Sequence, residues 1–495
     1  MPRVLLVSLN RETVPYPVFP IGVWVLHHYL ARHGVESEVA DLYLLSDVAG
    51  KRQVDLPLTP AHSLGERENR CLSGDSQAAR ILAGQSSRSA LPPAEGKSGG
   101  AIPQTPLDTG LDALEEQFLR RRSYDFVGLS LRNIDNLSWP ASADFCAEAV
   151  ACVERVKRYV EKERIILGGA GYSIFGEELL QTFGLQRGVA GDGEQALLRW
   201  VNGPATSLSP PDFSFARRVP ADVLRHYYRE SGMIGLQTRR GCPFDCSYCT
   251  YPQIEGRAMR SRDASGVLAE IRLLQEQHGI GVFYFVDCNF NYPSDYTRTL
   301  LQSLAAANLG IRWYAFVNPG YFDADLARRM KSAGCGGVEF GSESGDPLVL
   351  RLFNKNYGPD QLLVASRACQ EAGLKFCHYL LLGAPGETRE SVAATLALMQ
   401  ECEPSTVILS VGLRVYPGTG IARELVQQGK LDPRQSLLAP TFYEPERIAL
   451  PEIQEYCHAH APAHWILPGR GDQQMAEQMK RLRRGGARGP LWDYL

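Results

Sequence analysis

The chain has 495 residues, of which 44% are hydrophobic and 22% are charged, and its formal net charge is −3. A chain of this length exceeds one ordinary hydrophobic core, so we expect two or three domains. The near-zero charge argues against a nucleic-acid partner, the lack of an apolar run of about 18 residues argues against a membrane span, and the lack of a signal-peptide pattern predicts a cytoplasmic protein.

Residues 1–202 alternate short apolar runs with helical patterns, and the helix predicted over 22–33 ends at Gly34, a residue type common at helix ends. Strands that alternate with helices favour a parallel, doubly wound α/β sheet. We therefore predict an N-terminal, Rossmann-like domain over residues 1–202. Its predicted strands are 3–9, 35–42, 125–129, 164–167 and 188–190.

Two segments of different composition separate the regular patterns. Residues 84–106 are rich in Ser, Gly, Ala and Pro and cannot bury enough apolar surface to offset the entropy lost on ordering. We predict that residues 48–108 form a partly disordered insertion between the second and third strands. The polar and proline content of residues 203–230 predicts a linker.

A second series of strands and helices begins near Met233. Six βα units predict a partial (β/α)6 barrel over residues 231–432, followed by a small C-terminal extension over 433–495. In parallel barrels the chemistry lies at the C-terminal ends of the strands, so we expect functional residues there. The predicted strands are 234–238, 282–286, 313–317, 337–340, 376–382 and 407–411, and the predicted helices are 263–278, 294–307, 323–333, 359–372 and 388–400.

Three of the twelve cysteines fall within eight residues, in the sequence RRGCPFDCSYCTY. Cys242, Cys246 and Cys249 have the spacing C-x3-C-x2-C directly after the first strand of the second domain. Thiolates are the ligands of iron–sulfur clusters, and three of them on a four-iron cluster leave one iron open to a small molecule. The alternatives are buried structural cysteines and a zinc site, but structural zinc normally takes four ligands, and no second pair of cysteines follows at a suitable spacing.

The pattern C-x3-C-x-aromatic-C, with Tyr248 before the last cysteine, resembles the signature of radical S-adenosylmethionine (SAM) enzymes. The resemblance covers roughly residues 233–430. It implies a [4Fe–4S] cluster on the three cysteines, SAM on the open iron, and Tyr248 near the adenine. Asp287 and Asn289 follow the second strand, in place of the family's Gly-Gly-Glu, and the resemblance implies that they face SAM.

Later strand ends match the same family in order and spacing. The segment EFGSESG resembles the ribose-contacting motif, which implies that Glu343, beside Ser344, accepts hydrogen bonds from the sugar hydroxyls. The segment LGAPGET resembles a Gly-x-Pro-Gly-Glu-Thr turn, and the resemblance implies that Gly383 and Pro385 bring the backbone close to the adenine. Arg414 follows the sixth strand, and there it is expected to hold a carboxylate of the substrate or of SAM.

The N-terminal domain resembles the cobalamin-binding domain of cobalamin-dependent radical SAM enzymes. The sequence Pro-Ile-Gly opens its first helix, and glycine turns at Gly168, Gly169 and Gly191, with Glu194 nearby, follow its strands. Ligands of open α/β sheets bind outside the C-terminal strand ends, so the resemblance implies that a corrinoid lies against these turns. The Asp-x-His-x-x-Gly motif, which supplies a histidine to cobalt, is absent.

A polar loop follows the third predicted strand. The resemblance places Ser130, Arg132 and Asn133 of this loop against the lower face of the corrin. Polar residues that follow a strand are frequent in binding sites, because loops carry much of a protein's function. The alternative is that these side chains only cap the following helix.

Together the resemblances imply a cobalamin-dependent radical SAM C-methyltransferase, with a [4Fe–4S] cluster, SAM and cobalamin as cofactors. A methyl group from SAM would pass through methylcobalamin to a carbon of a small natural-product or amino-acid-like substrate. Three alternatives stay open: non-radical methylation of an sp2 carbon such as that of an indole, ring contraction or cyclisation without methyl transfer, and a non-catalytic corrinoid-binding regulator. We expect a monomer that uses an external electron donor of the flavodoxin or ferredoxin type and binds neither nucleic acid nor membrane.

Overall fold

The N-terminal part of the chain forms a four-stranded parallel sheet. The computed structural model describes residues 2–9, 17–50, 106–137, 139–140, 142–470 and 472–494. The first elements are β1 (Arg3–Ser8), α1 (Ile21–Arg32), β2 (Glu36–Asp41), α2 (Leu42–Gly50), α3 (Pro106–Leu114), β3 (Phe126–Ser130), α4 (Cys146–Lys157), β4 (Ile165–Gly168), α5 (Ala170–Phe183) and α6 (Gly193–Asn202). The strand order is β2-β1-β3-β4, so the chain reverses direction across the sheet at β1, as in doubly wound folds.

The rest of the chain forms a six-stranded parallel sheet surrounded by helices. Its elements are α7 (Ala221–Ser231), β5 (Ile234–Leu236), β6 (Arg239–Arg240), α8 (Tyr251–Ile254), β7 (Arg260–Ser261), α9 (Ala264–His278), β8 (Val282–Phe285), α10 (Ser294–Ala307), β9 (Arg312–Val317), α11 (Ala324–Ser332), β10 (Cys335–Glu343), α12 (Pro347–Leu352), α13 (Pro359–Ala372), β11 (Lys375–Leu382), α14 (Arg389–Cys402), β12 (Thr406–Val411), α15 (Gly420–Gln427), α16 (Leu450–His460) and α17 (Asp472–Arg484). The order β12-β11-β10-β9-β8-β5 places successive strands side by side, as in a partial barrel.

Apolar packing joins the two sheets into one body. The ring centroid of Phe19, just before α1, lies 5.1 Å from that of Phe215 and 5.4 Å from that of Tyr227 in α7. The Tyr227 hydroxyl donates to the Asp41 carboxylate at the end of β2 over 2.7 Å. A second apolar cluster covers the other face of the first sheet and includes Val415, beyond β12. Both faces of the first sheet are therefore buried, as expected for parallel strands.

Two predicted strands are shorter in the structure, whereas the strand predicted at 337–340 is longer and runs from Cys335 to Glu343. The predicted strand at 188–190 is only an isolated bridge between Leu167 and Gly188, because pairing with β4 is limited to a hydrogen bond from the Val189 amide and one to the Arg187 carbonyl oxygen. The predicted strand at 234–238 ends at Leu236, because the amide of Thr238 donates to the carboxylate of Asp287 instead of a neighbouring strand. Local patterns did not reveal either change, since both depend on distant partners.

The predicted insertion at 48–108 falls largely outside the described residues, which end at residue 50 and resume at residue 106. Helices α2 and α3 border this gap and pack against each other. Helices α2 and α3 were not predicted from the sequence. The boundaries at 202, 230 and 432 stay predictions.

The C-terminal extension closes the lower end of the barrel. Trp492 is 2% exposed, and its indole nitrogen donates to Glu339 Oε1 over 2.7 Å. Tyr284 donates to the other oxygen of Glu339 over 2.6 Å, and burial raises the pKa of this carboxyl. Lys375 at the start of β11 pairs with Asp493 over 2.8 Å. The last residues therefore pack beneath the strands, at the end opposite the predicted site.

The predicted fold class, a doubly wound sheet followed by a partial (β/α)6 barrel, is confirmed by the order and direction of the strands. The only antiparallel pair of named strands in the described residues is β6 with β7, beside the cysteine loop. Among the helices that the structure describes, none is both long and apolar enough to cross a bilayer.

Candidate functional site

The three predicted cluster ligands lie on one tight loop between β6 and α8. Gly241 enters this loop with a φ of +97°, and a Cβ at this position would lie 2.2 Å from a backbone carbonyl oxygen, so only glycine fits. The amide of Cys242 donates to the carbonyl oxygen of Gly256 over 3.0 Å, and the amide of Cys249 donates to that of Cys246 over 3.1 Å. Backbone hydrogen bonds thus contribute to the shape of the loop.

Cys242 is the most enclosed of the three thiols, and two side chains after β8 lie beside it. The side-chain amide nitrogen of Asn289, Nδ2, lies 3.7 Å from Cys242 Sγ. The thiol of Cys288 is within hydrogen-bonding reach of both the Cys242 sulfur and the Gly241 carbonyl oxygen, the latter at 3.1 Å, and its one proton serves one of them at a time. The hydrogen bond from Cys288 lowers the pKa of Cys242 to about 7, which favours the thiolate that binds metal.

Asp287 lies beneath the cysteine loop. Its carboxylate accepts hydrogen bonds from the amides of Thr238 over 2.7 Å and Arg239 over 3.1 Å, and it pairs with the Arg239 guanidinium over 3.2 Å. Both side chains of this ion pair are 0% exposed. Burial raises the pKa of Asp287, although the charge of Arg239 opposes the shift. The placement favours a role in holding the turn before the loop, and the predicted contact with SAM stays a prediction.

Tyr248, inside the cysteine loop, reaches the end of β10. Its hydroxyl donates to Glu343 Oε1 over 2.6 Å. The ammonium of Lys355 donates to both Glu343 Oε1 and Tyr248 Oη, each over 2.9 Å. The structure therefore brings together two residues predicted to contact SAM, and it adds Lys355, which the sequence analysis missed. Nothing in the local pattern marks Lys355, because its partners lie on other segments.

Glu343 stands at an irregular point of its strand. Its φ is +63°, a region that side chains other than glycine rarely adopt. The register of β10 against β11 shifts between Gly341 and Glu343, so a bulge redirects the carboxylate. Strained backbone and bulges are common beside functional sites.

The other predicted residues at the ends of β10 and β11 take part in internal hydrogen bonds. The hydroxyl of Ser344 lies 3.1 Å from that of Thr395. The amide of Gly383, which has a φ of +94°, donates to the carboxylate of Glu387 over 3.2 Å, and Pro385 is buried in the same turn. These contacts shape the turns, and the approach of SAM to them stays a prediction.

Arg414 holds three segments together. Its guanidinium pairs with Asp135 over 3.1 Å, with side chains 4% and 1% exposed, and it donates to the carbonyl oxygens of Val415 and Leu437, each over 2.6 Å. Asp135 belongs to the polar loop after β3, and Leu437 belongs to the C-terminal extension. A carboxylate of the substrate or of SAM would compete with these partners, so the placement favours a role in joining the domains.

The polar loop after β3 lies directly on the glycine turn after β4. A Cβ at Gly169, which has a φ of +92°, would lie 2.5 Å from the carbonyl oxygen of Leu131. The amide of Leu131 donates to the carbonyl oxygen of Gly168 over 2.9 Å. The loop and turn are thereby packed together at the C-terminal edge of the first sheet. This loop carries the predicted corrinoid contacts Ser130, Arg132 and Asn133.

The strand ends of the two domains face each other. A Cβ at Gly191 would have the carbonyl oxygen of Ile254, in α8, as its nearest neighbour at 3.7 Å. Glu194 is 2% exposed, and its carboxylate lies 2.7 Å from the guanidinium of Arg240, next to the cysteine loop. Asp192 pairs with the same arginine over 3.2 Å. Gly191 thus remains at the boundary predicted for the corrinoid, whereas the carboxylate of Glu194 is directed to β6.

Replacing Gly169 by alanine is expected to lower the free energy of unfolding by about 2 kcal/mol and to weaken corrinoid binding. The added methyl group must displace the Leu131 carbonyl and the polar loop with it. Gly203→Ala is the matched control, because Gly203 has the same φ of +92° but no atom within 4 Å of the added carbon. Urea unfolding and titration with hydroxocobalamin compare the two variants. Equal effects of both substitutions on corrinoid binding would contradict the prediction.

The described residues suit the predicted cofactors. Cys242, Cys246 and Cys249 offer three thiols on one loop, and soft thiolates are the ligands that iron–sulfur clusters take. Among the residues that the structure describes, no three His, Cys, Asp or Glu side chains converge on a single metal ion. Each thiolate of a four-iron cluster binds a different iron, so the three sulfurs need not converge. At Gly168 and Gly191 the nearest atom to an added Cβ would lie 3.6 and 3.7 Å away, so the backbone at these two positions can come close to a ligand such as a corrinoid.

Residues 236–399 match the model of the radical SAM superfamily. The match runs from the end of β5 to α14 and includes the cysteine loop. The barrel is a radical SAM domain. This radical SAM domain contains Tyr248 and Glu343 as well as the three cysteines.

Two curated relatives of this chain are methyltransferases. The tryptophan 2-C-methyltransferase of Streptomyces laurentii is 24% identical over 412 residues, which cover 65% of this chain and 68% of the relative. The bacteriochlorophyllide d C-12(1)-methyltransferase of Chlorobaculum tepidum is 30% identical over 231 residues, which cover 45% of this chain and 48% of the relative. The chain thus matches about two thirds of the first relative's length and about half of the second's.

Solved structures resemble the fold of this chain along nearly its whole length. TsrM from Kitasatospora setae, a radical SAM methyltransferase solved with tryptophan and aza-SAM, superposes with a TM-score of 0.78 at 20% identity, over 99% of this chain and 97% of that one. The same protein has also been solved with cobalamin and a [4Fe–4S] cluster. The cobalamin-dependent radical SAM enzyme OxsB gives a TM-score of 0.63 at 13% identity, over 98% and 71% of the two chains. The predicted resemblance to cobalamin-dependent radical SAM enzymes is confirmed in the fold.

Proposed function

We propose that this radical SAM enzyme is a cobalamin-dependent C-methyltransferase that acts on a small molecule. The observation that carries the proposal is the meeting of two strand-end edges: the cysteine loop at the top of the barrel, and the glycine turns of the first sheet. The two edges meet at Gly191 and Ile254, where a Cβ would lie 3.7 Å from the carbonyl oxygen, and this closeness supports a shared boundary for both candidate cofactor sites. Ligand sites are frequent where domains meet.

The chain's own residues have distinct tasks in this proposal. Cys242, Cys246 and Cys249 hold the cluster as thiolates, and the proximity of Cys288 and Asn289 to Cys242 stabilises that charge. When bound, the cluster, SAM and the corrinoid supply the electron, the methyl group and the methyl carrier.

Residues at the strand ends have the remaining roles, which are to contact SAM and the corrinoid and to join the two domains. Glu343 accepts hydrogen bonds from the ribose hydroxyls of SAM, with Tyr248 beside it. The glycine turn at Gly168 and Gly169 holds the polar loop of Arg132 in place, where this loop would contact the corrinoid. The ion pair of Arg414 with Asp135 holds the two domains in a fixed relative position.

A second candidate is polar methylation of an sp2 carbon such as the indole of tryptophan. Two similar proteins favour this second candidate: the tryptophan 2-C-methyltransferase, and TsrM, which was solved with tryptophan bound. A radical route that methylates an unactivated carbon would use the same residues. Tryptophan is therefore the first substrate to test, and other amino-acid-like or natural-product molecules come next.

The test uses the full-length enzyme, reconstituted under anaerobic conditions with iron, sulfide and hydroxocobalamin and given SAM, tryptophan and a chemical reductant. We expect methylated product with one S-adenosylhomocysteine per turnover. Equal formation of 5′-deoxyadenosine would assign the radical route, and its absence would assign the polar route. Formation of 5′-deoxyadenosine without S-adenosylhomocysteine would contradict methyl transfer and favour a rearrangement.

The proposal also includes features that the fold does not address. We propose a monomer in the cytoplasm that receives electrons from a flavodoxin or ferredoxin. Size-exclusion chromatography of the reconstituted enzyme and replacement of the chemical reductant by these proteins test the first and last of these points. A stable dimer, or turnover that both proteins fail to support, would contradict them.

A further inference from the structure

The ammonium group of Lys355 is almost completely buried. Its side chain is 8% exposed, and that of Glu343, its ion-pair partner at 2.9 Å, is 11% exposed. Taking such charges out of water costs several kcal/mol for each ion, so a buried pair is weak evidence for stability alone. Burial is the largest single influence on the Lys355 ammonium and opposes its charged form, but Glu343 and the nearby Tyr248, Tyr357 and Cys246 together outweigh it, and the pKa of Lys355 lies well above its ordinary value. The ammonium therefore remains charged.

The three N–H donors of Lys355 have three oxygens around them. Two are Glu343 Oε1 and Tyr248 Oη, each at 2.9 Å. The third is the hydroxyl of Tyr357, which itself donates to the carbonyl oxygen of Gly341. The ammonium also lies 5.1 Å from the ring centroid of Tyr248. The two hydrogen bonds that the ammonium donates to Glu343 and Tyr248 fix the orientation of these two groups relative to each other.

The segment that carries Lys355 is docked on the cysteine loop by its backbone. The amide of Ser247 donates to the carbonyl oxygen of Phe353 over 3.0 Å. The side-chain amide of Asn354 donates to the carbonyl oxygen of Asp245 over 2.8 Å. The ring of Phe353 packs edge-on against Tyr248, with centroids 4.9 Å apart. Lys355 is therefore held at a set position relative to the cluster ligands.

The carboxylate of Glu343 is engaged on one side only. In the part of the chain that the structure describes, the two hydrogen bonds to this side chain, from Tyr248 and Lys355, both end on Oε1. The second oxygen, Oε2, is left for a ligand hydroxyl. Because two donors fix Oε1, the direction of Oε2 is fixed as well.

From this geometry we infer that Lys355 is a positioning residue: it orients the carboxylate of Glu343 and the hydroxyl of Tyr248 toward SAM and so sets the affinity for SAM. The inference rests on the proposed function. Without the ammonium, the carboxylate turns about its side-chain torsions and loses its defined direction toward the ribose. Lys355 itself need not touch SAM.

The test is the affinity for SAM of Lys355→Met, measured by anaerobic equilibrium dialysis with radiolabelled SAM on the reconstituted enzyme. We expect Kd to rise about tenfold, the equivalent of one charge-assisted hydrogen bond, with unchanged iron and sulfide content. Lys355→Arg, which keeps the charge, is expected to recover most of the affinity. A purely structural role would not distinguish these two variants once the cluster is intact.

Arg351→Met is the matched control, since it removes an exposed positive charge from the same segment, at the end of α12. We expect its Kd to stay within twofold of the parent's. If Lys355→Met fails to hold the cluster, the double variant Lys355→Met with Glu343→Gln avoids leaving an unpaired buried charge, and it is expected to bind SAM as weakly as Glu343→Gln alone.

Three outcomes would overturn the inference: parent-like SAM affinity in Lys355→Met with an intact cluster, no recovery in Lys355→Arg, or a double variant that binds SAM as tightly as the parent. The first two leave the proposed function standing, because the parent still binds SAM. Failure of the reconstituted parent to bind SAM would instead remove the proposed function, and the inference with it.

Discussion

Simultaneous replacement of Cys242, Cys246 and Cys249 by alanine is expected to abolish the cluster and all turnover of SAM. The three thiols are the whole ligand set that the loop offers, and the loop's shape depends on the backbone of Gly241 and Gly256 rather than on the thiols. The protein should therefore fold without the cluster. Iron and sulfide analysis, electron paramagnetic resonance and the formation of S-adenosylhomocysteine provide the measurements.

The same variant also separates an enzyme from a corrinoid-binding regulator. The polar loop and glycine turns of the first sheet lie outside the cysteine loop, so we expect hydroxocobalamin to bind with an affinity close to the parent's. The control is Cys146→Ala, which removes a half-buried thiol from α4 and should leave iron content and turnover unchanged. Methyl transfer that persists in the triple variant would contradict the assignment of these cysteines.

Asp287→Ala is expected to lower the free energy of unfolding by about 3–5 kcal/mol. The substitution leaves the Arg239 guanidinium buried and unpaired by a carboxylate, and it removes the acceptor for the amides of Thr238 and Arg239. Burial raises the pKa of Asp287 and lowers that of Arg239, so desolvation acts against both charges. The pair itself contributes little net stability for this reason, but loss of one partner is costly. Urea unfolding of the apoprotein measures the change.

Two further variants isolate the cause. Asp325→Ala removes a similar ion pair, with Arg329 at 2.7 Å, whose side chains are 47–50% exposed, and it should cost less than about 1 kcal/mol. The double variant Asp287→Leu with Arg239→Met removes both buried charges and should unfold less easily than Asp287→Ala. If Asp287→Asn were as stable as the parent but bound SAM more weakly, the contact with SAM would be favoured over the structural role.

The sequence predicted the local elements well where one residue type sets them. Helix α9 begins at an aspartate cap, Asp263, and ends at Gly279, whose φ is +66°. The helices predicted at 294–307 and 359–372 have the observed bounds. It failed for the segment 188–190, whose pairing with β4 amounts to an isolated bridge. Short strands depend on neighbours that no local pattern names.

The candidate site shows the same division. The spacing of the cysteines, and Tyr248 between them, were sufficient to predict a cluster loop, because all its parts lie within eight residues. Lys355 was not predicted from the sequence, because it lies 107 residues from Tyr248 and only the fold brings the two side chains into contact. Glu194 was expected at a corrinoid, but its carboxylate is directed to Arg240, 46 residues away.

By itself, the sequence determined the chemistry of the cysteine loop and the order of the strands, because these depend on consecutive residues and on apolar periodicity. Only the tertiary structure decided which polar residues at the strand ends are committed to the fold. Asp287 meets Thr238 across 49 residues, and Arg414 meets Asp135 across 279 residues. A buried charge pairs with the opposite charge that the fold brings next to it. That partner cannot be predicted from the neighbouring residues in the sequence.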